Sequence, residues 1–406
     1  MDPFKGVTTI IMAGGRGERL FPLTRDKAKP AITFGGIYRI IDFTLSNCLN
    51  SGIRRIYVLS QYGSFSLDQH LRLAWNLVRP ELGEYIYSIP PQQITVDRWY
   101  RGTADSIYQN LKLLDEERPR QVLILSGDHV YKMDYGAMLD FHLAKKADLT
   151  VAAVPAPRQE ASAFGILHVD EDQRVIEFLE KPAEPPGIPG NPDYSLVSMG
   201  VYVFESEVLV RELIADAKNP DSQHDFGRNI IPAMVGRKQV YVFNFEDPVT
   251  RMPCYWRDIG QLDAYFAAHL DLLGEDPVFD LLEGDWPIRG QRCAAPPAKY
   301  FSREKPVEVT DSLVSPGCIL QEARVTRSVL SPGVQIGRGA EVEEAILWDG
   351  VKVGLGARIR KAVIEDGVHI PPRFTIGYDL QADASRFPVT ESGVVVVPNN
   401  VILEGP

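Results

Sequence analysis

The sequence predicts an α/β domain with a mostly parallel sheet, followed by a smaller domain that winds as a parallel β-helix. Short β-branched runs alternate with helical stretches through about residue 275, and a repeat of 16 or 17 residues follows further along the chain. The length of 406 residues supports more than one domain, since one domain takes about 150 residues. We therefore expect a first domain at residues 1–275, a connector at 276–310 and the repeat domain at 311–406.

The first domain is predicted from strands and helices that follow one another along the chain. Segments rich in β-branched and other apolar residues are the expected strands, at 7–12, 55–60, 121–126, 149–154, 198–204 and 239–245. Amphipathic stretches with helical spacing lie between them, at 67–78, 105–114, 135–146 and 262–273. Such alternation is typical of parallel sheets, which bind ligands at the carboxyl ends of their strands.

The second domain is predicted from a repeated sequence pattern. The segment 313–318, LVSPGC, is echoed by 329–334, VLSPGV, by 346–351, ILWDGV, and by 363–368, VIEDGV. Aliphatic residues recur about every six positions within each unit, as in a hexapeptide β-helix with three short strands per coil. Each coil can bury its apolar face only against a neighbour, so the units must stack. An ordinary antiparallel sheet is the alternative, and the small drift of the period disfavours it.

The composition is that of a globular protein and argues against two classes of partner. Hydrophobic residues make up 45% of the sequence and charged residues 24%, as in ordinary globular domains. The formal net charge of −11 argues against a surface that binds nucleic acid or an anionic membrane. The first residues do not resemble a secretory signal, no apolar run reaches the roughly 18 residues of a membrane span, and the cysteines form no Cys-x-x-Cys pair. We expect a cytoplasmic protein with reduced thiols.

A glycine-rich loop after the first predicted strand is the leading sign of function. Residues 13–17, AGGRG, follow the apolar run, and further cations come at Arg19, Arg25, Lys27 and Lys29. Glycines let successive backbone N–H groups approach phosphate oxygens, whose charge the cations neutralise. The loop lacks the third glycine of a dinucleotide fingerprint and the Gly-Lys-Ser/Thr of a P-loop. We expect it to cradle a nucleoside triphosphate, and the basic run disfavours the alternative of an ordinary turn.

Two aspartates are candidates for metal binding. Asp128 follows the apolar strand 121–126 in the motif Ser-Gly-Asp-His, and Asp258 ends the motif Tyr-Trp-Arg-Asp. A carboxylate at a strand end projects into the ligand crevice, where it suits Mg²⁺ bound to substrate phosphates. An aspartate that caps a helix or closes a turn is the alternative for Asp128. Together the pair suits charge stabilisation in phosphoryl or nucleotidyl transfer.

Two further motifs are candidates for contacts with a sugar phosphate and a base. Lys181 lies in Glu-Lys-Pro, where the proline is expected to hold it extended and its ammonium can meet a second phosphate. A solvated surface lysine is the alternative. Residues 99–105, WYRGTAD, open a helix whose first N–H groups can bind a phosphate or a sugar. Gln92 and Gln93 offer amides for the edge of a base.

Taken in order along the chain, these motifs resemble the sugar-nucleotide pyrophosphorylases, and among them the bacterial enzymes that make ADP-glucose. The glycine-rich loop and Glu-Lys-Pro recur across that superfamily. More specific matches are the segments 34–43, 45–53, 99–105, 163–165, 224–227 and 255–258. The resemblance covers nearly the whole chain, and it implies a Rossmann-like nucleotidyltransferase domain followed by a left-handed parallel β-helix for assembly and regulation.

The resemblance also implies a reaction, in which ATP and α-D-glucose 1-phosphate give ADP-glucose and diphosphate on the way to bacterial glycogen. An oxygen of the sugar phosphate attacks the α-phosphorus of ATP in line, with Mg²⁺ as the cofactor. The implied catalytic residues are Arg16, Lys29 and Asp128, and Asp128 and Asp258 would hold the metal. The implied nucleotide contacts are Ala13, Gly14, Gly15, Gln92, Gln93, Gly102 and Thr103. The implied contacts to glucose 1-phosphate and ADP-glucose are Tyr100, Gly165, Glu180, Lys181 and Ser198.

One position departs from the pattern of the family. Regulated members often carry, after Phe-Gly-Gly, a lysine that contributes to a sugar-phosphate activator site, and this chain has Ile37 there. We therefore expect weak or altered activation by fructose 1,6-bisphosphate, while Arg39 remains available for another anion. The family also implies small-molecule effectors and a homo-oligomer, typically a tetramer.

Two other functions stay open at this level. The first is a pyrophosphorylase for another nucleotide or sugar, such as UDP-glucose, dTDP-glucose or GDP-mannose. The second is a non-catalytic regulatory subunit of the same fold. The sequence disfavours the regulatory subunit because it retains the charged residues Arg16, Lys29, Asp128, Lys181 and Asp258. A β-helical acetyltransferase is also disfavoured, because the repeat has only about four coils and His369 as its one histidine.

Overall fold

The first domain alternates strands with helices within residues 4–91 and 99–405, the part of the chain that this computed structural model describes. Its strands are β1 (Val7–Ala13), β2 (Thr33–Phe34), β3 (Tyr38–Arg39), β4 (Arg55–Ser60), β5 (Tyr85–Ile89), β6 (Gln121–Ser126), β7 (His129–Tyr131), β8 (Leu149–Pro157), β9 (Gly165–Val169), β10 (Val175–Glu180), β11 (Tyr194–Glu205), β12 (Val240–Asn244) and β13 (Trp256–Asp258). Its helices are α1 (Ile41–Asn50), α2 (Ser64–Ala74), α3 (Thr103–Tyr108), α4 (Leu111–Glu117), α5 (Tyr135–Lys145), α6 (Ser206–Ala217), α7 (Ile231–Met234) and α8 (Leu262–Leu270). Short 3₁₀ turns lie at Glu18–Leu20, Lys29–Ala31, Pro80–Leu82 and Ala161–Ala163, and a π-helical turn lies at Phe226–Ile230.

Nine strands of the described chain form the central sheet. β5, β4, β1 and β6 run parallel in that order, and Ile11 of β1 lies opposite Val58 and Leu125. Beyond β6, the long strand β11 pairs antiparallel with β6, β8 and β9, while β12 pairs parallel with β8. The predicted α/β domain is confirmed, and its parallel strands place the carboxyl ends of β1, β4 and β6 side by side.

The prediction of one continuous helix at 105–114 is wrong, because the structure has two helices there, α3 and α4. Asn110 lies between them, and its side-chain amide donates hydrogen bonds to the Ser106 carbonyl oxygen and to Tyr100 Oη. A side chain that bonds the backbone in this way competes with the helical ladder. The expected strands 55–60 and 121–126, by contrast, coincide with β4 and β6.

The second domain is a stack of short parallel strands. They are β14 (Lys299–Phe301), β15 (Glu308–Thr310), β16 (Leu313–Val314), β17 (Ile319–Gln321), β18 (Arg324–Thr326), β19 (Val329–Leu330), β20 (Gln335–Ile336), β21 (Glu341–Leu347), β22 (Lys352–Val353), β23 (Arg358–Ile364), β24 (His369–Ile370), β25 (Thr375–Ile376) and β26 (Val395–Val397), with the short helix α9 (Leu380–Ala384) before the last strand. Paired residues stack in buried columns, one of which contains Leu320, Ile336, Val353 and Ile370. The predicted parallel β-helix is confirmed, and the antiparallel alternative is wrong.

The domain boundaries stay a prediction. β14 and β15 fall in the segment 276–310 that the sequence assigns to a connector, yet they pair in parallel with β17 and β18 of the stack. The β-helix pairing therefore begins before the expected boundary at residue 311. Among residues 4–91 and 99–405, no helix is both long and apolar enough to cross a membrane.

One face of the β-helix packs against the first domain. Val329, Ile346 and Val363 share a buried apolar cluster with residues of α8 and of the segment around β2. Trp348 is fully buried there, and its Nε1 donates a hydrogen bond to Tyr265 Oη at 2.9 Å. The two domains therefore share a continuous core.

Cations of the segment after the glycine-rich loop add polar contacts to this join. Lys27 Nζ lies 2.5 Å from Asp366 Oδ1 and 4.6 Å from the centre of the Trp348 ring. Arg25 donates a hydrogen bond to Asn399 Oδ1 at 2.5 Å. Groups of the β-helix therefore hold both side chains, and neither residue lines the cavity described below, so the expectation that Arg25 and Lys27 neutralise phosphates stays a prediction.

Candidate active site

A cavity of about 430 Å³ opens at the carboxyl ends of the parallel strands. Gly14 and Gly15 line it from the loop after β1, Gln61 from the end of β4, and Asp128 from the end of β6. Parallel strands end at a common edge, so side chains and loops that follow them converge there. The cavity therefore lies where the sequence analysis expects a ligand.

The loop after β1 has the backbone freedom that glycine supplies. Gly17 has a φ of 66°, and a Cβ at this residue would lie 2.9 Å from Thr24 Cγ2. A Cβ on Gly15 would meet no atom within 4 Å, so the backbone there faces open space. Ala13, Gly14 and Gly15 all line the cavity. The loop can thus present its backbone at Gly15 to a ligand in the cavity.

Arg16 lies at the edge of this cavity and is largely exposed. Its Nη1 is 3.2 Å from Glu18 Oε1, and its Cζ is 4.8 Å from the centre of the Tyr62 ring. Tyr62 in turn stacks on Trp99, with ring centroids 5.4 Å apart. The guanidinium is therefore held by groups that a bound anion can replace.

Lys29 lies inside the site and bridges two carboxylates. Its Nζ is 2.5 Å from Asp128 Oδ2 and 3.1 Å from Asp258 Oδ1, and only 8% of the residue is exposed. The two aspartates, which the sequence could not place together, therefore meet at one ammonium group. We call Lys29, Asp128 and Asp258 the carboxylate cluster.

The β7–β13 pair explains why the aspartates meet. These two strands are antiparallel, with Asp258 opposite His129, so Asp258 is brought beside the residue that follows Asp128. His129 Nε2 lies 3.4 Å from Asp128 Oδ1 and 3.7 Å from Asp258 Oδ1. One potential ligand atom from each of these three residues lies within 4.8 Å of the others, which is close enough for a shared metal ion.

Burial and charge act in opposite directions on the titration of this cluster. Burial lowers the pKa of Lys29, but the charges of Asp128 and Asp258 outweigh burial and raise it above its usual value. Burial is the largest single influence and raises the pKa of Asp128, but the charges of Lys29 and His129 and the hydrogen bonds from Lys29 and Ser126 together outweigh it and lower the pKa overall. At neutral pH Lys29 is therefore cationic and Asp128 anionic, as phosphate and metal binding require.

The opposite wall of the cavity comes from the start of α3. Thr103 Oγ1 donates a hydrogen bond to Asp225 Oδ2 at 2.9 Å, and the backbone N–H of Tyr100 donates to Gln61 Oε1 at 2.8 Å. A Cβ on Gly102 would lie 2.3 Å from the His224 carbonyl oxygen, so only glycine fits this approach. Tyr100, Gly102 and Thr103 thus line the cavity as the sequence expects. Gln92 and Gln93 lie outside the described residues.

A second polar group, close to the cavity, contains the residues expected to bind the sugar. Glu180 is the last residue of β10, and Lys181 Nζ is 3.4 Å from Glu180 Oε1. Cβ atoms on Gly165 and Gly227 would lie 3.0 and 2.3 Å from Glu180 Oε2, so the two glycines leave room for this carboxylate. Burial is the main cause of the raised pKa of Glu180, and nearby Asp225, which also lines the cavity, adds to it.

Two further residues expected at the sugar site are Lys181 and Ser198, and the backbone conformation of Lys181 differs from expectation. Lys181 has a φ of 50°, so the expected extended conformation before the proline is wrong. The residue takes a left-handed turn, and its backbone N–H bonds the Phe164 carbonyl oxygen at 3.0 Å. Ser198, on β11, is buried and accepts a 3.4 Å hydrogen bond from the Gly200 backbone N–H.

Sequence reasoning missed three residues of the site. Asp225 and Gln61 line the cavity and fix its walls by hydrogen bonds, and His129 adds an imidazole to the carboxylate cluster. Asp225 and His129 stand in motifs that the sequence already shows, His-Asp-Phe-Gly and Ser-Gly-Asp-His. Gln61 directly follows a predicted parallel strand, and that position alone was a usable signal.

Comparison with known proteins places this geometry in a family. The nucleotidyl transferase family model matches residues 8–275, and a model of the GlmU-like C-terminal hexapeptide repeat matches residues 296–397. The hexapeptide match and the parallel strands agree with a left-handed β-helix.

Curated relatives match along the whole chain. A glucose-1-phosphate adenylyltransferase of Rhodopirellula baltica is 49% identical over 100% of this chain and 93% of its own length. One from Koribacter versatilis is 47% identical over 97% of this chain and 95% of its own. A protein of Vibrio vulnificus named glucose-1-phosphate adenylyltransferase 2 is 49% identical over 97% of this chain and 98% of its own. The resemblance drawn from the motifs is confirmed.

Proposed function

Because this chain belongs to the nucleotidyl transferase family, as one of its glucose-1-phosphate adenylyltransferases, we propose that it converts ATP and α-D-glucose 1-phosphate into ADP-glucose and diphosphate. The carboxylate cluster is the observation that carries the proposal. A buried ammonium between two carboxylates, beside an open glycine loop, suits a triphosphate and its metal ion.

In the proposed reaction an oxygen of the sugar phosphate attacks the α-phosphorus of ATP. The new phosphorus–oxygen bond forms as the bond to the β-phosphate bridging oxygen breaks, and the electron pair leaves with diphosphate. Lys29 and Arg16 stabilise the negative charge that builds up along this path. Lys29 suits the role because its raised pKa keeps it protonated, and Arg16 because its exposed guanidinium can turn toward the phosphates.

Mg²⁺ is the proposed cofactor, and the residues present fit it. Asp128 and Asp258 offer anionic oxygen ligands close together, which is the ligand type that Mg²⁺ prefers. Bound there, Mg²⁺ would neutralise charge on the departing diphosphate. Ser126 Oγ donates a hydrogen bond to Asp128 Oδ1 and so orients the carboxylate in advance.

The second polar group is the proposed site of the sugar. The Glu180 carboxylate can accept hydrogen bonds from sugar hydroxyls, since Gly165 and Gly227 leave it unobstructed. Lys181 is half exposed and can hold the sugar phosphate, with Ser198 and Tyr100 as further contacts. The start of α3 and the loop after β1 are the proposed contacts to the nucleotide.

The test is diphosphate release across pairs of nucleotides and sugar phosphates. ATP with glucose 1-phosphate should exceed UTP, dTTP or GTP with the same sugar by at least tenfold. A preference for UTP or dTTP would instead establish a pyrophosphorylase for another nucleotide. No release with any pair would favour the non-catalytic regulatory subunit.

Regulation, assembly and location extend the proposal. We propose a homo-oligomer, a tetramer by the family pattern, in the cytoplasm, with small-molecule effectors. The weak response to fructose 1,6-bisphosphate proposed from Ile37 has further support, because Lys27 and Arg39 already pair with Asp366 and Asp349 of the β-helix. Strong stimulation of diphosphate release by micromolar fructose 1,6-bisphosphate would contradict it.

A further inference from the structure

We propose that His224 is a positioning residue of the active site, which fixes the start of α3 relative to the second polar group around Glu180. The inference rests on the proposed function and adds a residue to it. His224 lies in the segment 222–227, which leads from α6 into the π-helical turn, and it is buried. It is not among the residues that line the cavity, so it acts through the residues that it holds.

The backbone carbonyl of His224 accepts two hydrogen bonds from the first turn of α3. The N–H of Ala104 donates to it at 2.9 Å, and the N–H of Asp105 donates at 3.3 Å. The first N–H groups of a helix have no partner within the helix, so an acceptor outside it must satisfy them. Gly102 packs directly on the same carbonyl. The place of this carbonyl therefore determines where Gly102 and Thr103 stand in the cavity.

The residues after His224 reach the second polar group. Asp225 accepts the hydrogen bond of Thr103 Oγ1, and the backbone N–H of Phe226 donates to the same hydroxyl at 3.0 Å. Gly227 then packs against Glu180, since a Cβ on this glycine would lie 2.3 Å from Glu180 Oε2. The segment 222–227 thus joins the start of α3 to the carboxylate proposed to bind the sugar.

His224 has a backbone conformation that residues with a Cβ seldom adopt. Its φ of 54° lies in the left-handed region. At this turn the chain presents the His224 carbonyl to α3 and the Asp225 carboxylate to the cavity. A non-glycine residue stays in such a conformation only where the surrounding contacts hold it there.

Asp216 supplies those contacts from the last turn of α6. The His224 Nδ1–H donates a hydrogen bond to Asp216 Oδ2 at 2.7 Å. Ser222 Oγ donates to Asp216 Oδ1 at 2.5 Å and accepts from the backbone N–H of His224 at 2.9 Å. The Asp216 side chain is only 10% exposed. One carboxylate on a helix therefore holds both the side chain and the backbone of His224.

The spacing that His224 sets matters because the two substrates must be aligned for in-line attack. Reacting atoms need to be about 3–3.5 Å apart, and a misplacement of about 1 Å can cost roughly a hundredfold in rate. ATP alone or glucose 1-phosphate alone needs only one part of the site, whereas ADP-glucose spans both. Loss of the His224 contacts should therefore impair turnover and ADP-glucose binding more than the binding of either substrate.

The variant His224→Ala tests this split. It should lower kcat for diphosphate release by roughly tenfold or more. It should also weaken ADP-glucose binding, measured by calorimetry, by a similar factor, while KM for ATP and for glucose 1-phosphate each change less than threefold. A kcat within threefold of the unaltered chain would overturn the proposal, and so would ADP-glucose binding that is unchanged.

The conservative variant His224→Asn should restore most of the activity. Asparagine tolerates the left-handed region, and its amide can donate a hydrogen bond to Asp216. We expect kcat of H224N within threefold of the unaltered chain. A loss in H224N as large as that in H224A would contradict the role assigned to the turn and its hydrogen bond.

Asp216→Ala breaks the same contact from the side of α6 and alters no residue that lines the cavity. It should reproduce the loss of kcat. The double variant H224A/D216A should lose no more than H224A alone, because residues that act through one shared contact are not additive. Losses that multiply would overturn the proposal. Should H224A fail to fold, D216A and H224N decide between them.

The matched control is His142→Ala, another buried histidine of the first domain. His142 Nδ1 lies 2.8 Å from Thr150 Oγ1 and Nε2 lies 3.4 Å from Glu205 Oε1, and none of these three residues lines the cavity. H142A should lower the urea midpoint yet keep kcat and ADP-glucose binding within twofold. A loss of kcat in folded H142A equal to that in H224A would make both a general effect of destabilisation and overturn the proposal.

The unaltered chain separates this inference from the proposed function. No diphosphate release by that chain would refute the proposed function and the inference together. An active unaltered chain with an equally active H224A would refute the inference alone.

Discussion

The two domains of this protein arrange their charged side chains in opposite ways. In the first domain, Lys29 is buried between Asp128 and Asp258, so charges from three distant parts of the chain converge on one point. In the β-helix, a row of charges runs along the outside instead. Glutamate and arginine alternate at positions that pair from one coil to the next, and each side chain is about half exposed. We call this row, Glu308, Arg324, Glu341 and Arg358, the ladder.

The difference follows from how each fold uses its strands. A parallel α/β sheet gathers the ends of its strands at one edge, which leaves a crevice where side chains from several strands meet. A β-helix instead repeats each position from coil to coil. The nearest neighbour of an outward side chain is therefore the side chain at the same position of the next coil, about 4.8 Å away. Charges in the first arrangement are desolvated and serve chemistry, whereas charges in the second stay hydrated and mainly avoid repelling each other.

Neutralising one carboxylate in each domain is the strongest test of this contrast. Asp128→Asn should lower the rate of diphosphate release at least a hundredfold, because a metal ligand stabilises charge by several kcal/mol. The matched variant Glu341→Gln, in the β-helix ladder, should keep the rate within twofold. The measurement is steady-state release with saturating ATP and glucose 1-phosphate, after circular dichroism shows both variants folded. A loss below tenfold for D128N would refute the metal role of Asp128.

The join between the domains should be the most sensitive place for stability. Trp348 is fully buried, donates a hydrogen bond to Tyr265 Oη and lies beneath the Lys27 ammonium. Trp348→Ala should lower the free energy of unfolding by about 3–5 kcal/mol, the cost of a large cavity. Trp348→Phe keeps most of the packing and should cost less than half as much. Urea unfolding checks both values, and an alanine variant as stable as the phenylalanine variant would show that the domains do not share a core here.

A buried histidine in the same region makes stability depend on pH. His269 Nδ1–H donates to the Tyr265 carbonyl oxygen at 2.9 Å, and Nε2 accepts from the Gly35 backbone N–H at 3.1 Å. Burial lowers the pKa of His269 to about 4. The unfolded chain, with a pKa near 6.5, then binds the proton more readily, so stability is complete above about pH 6.5 and falls as the pH drops toward 4.

The size of this effect can be measured as a difference between two proteins. Between pH 7 and pH 5, His269 should remove about 2 kcal/mol of unfolding free energy. In His269→Gln the amide can both donate and accept a hydrogen bond but does not titrate. The unfolding free energy of this variant should therefore fall by about 2 kcal/mol less than that of the unaltered chain between pH 7 and pH 5. Urea unfolding of both proteins at the two pH values gives the comparison, and equal losses would contradict the assigned protonation state.

The sequence predicted the elements of this protein better than it predicted their contacts. The sequence predicted strands β4 and β6 and the period of the coils, because burial imposes a regular pattern of apolar residues. The contacts of Arg25 and Lys27 with the β-helix could not be predicted. Nothing in the local sequence distinguishes a cation that meets a phosphate from one that meets Asp366, far along the chain. Asp258 reaches Asp128 only through the β7–β13 pairing, which no periodicity reveals.

The smallest effect is expected on the outer surface of the β-helix. Arg358 Nε lies 3.0 Å from Glu341 Oε2, but both side chains are about half exposed, and exposed ion pairs contribute little because water and salt screen them. Glu341→Gln should therefore leave the urea midpoint within the scatter of repeated measurements at high salt and lower it only slightly at low salt. The same substitution leaves Arg358 beside Arg324 without the intervening carboxylate, so any loss should appear only at low salt. A loss that persists in high salt would mean that the ladder is a structural element of the coil, and the contrast between the two domains would then be one of degree.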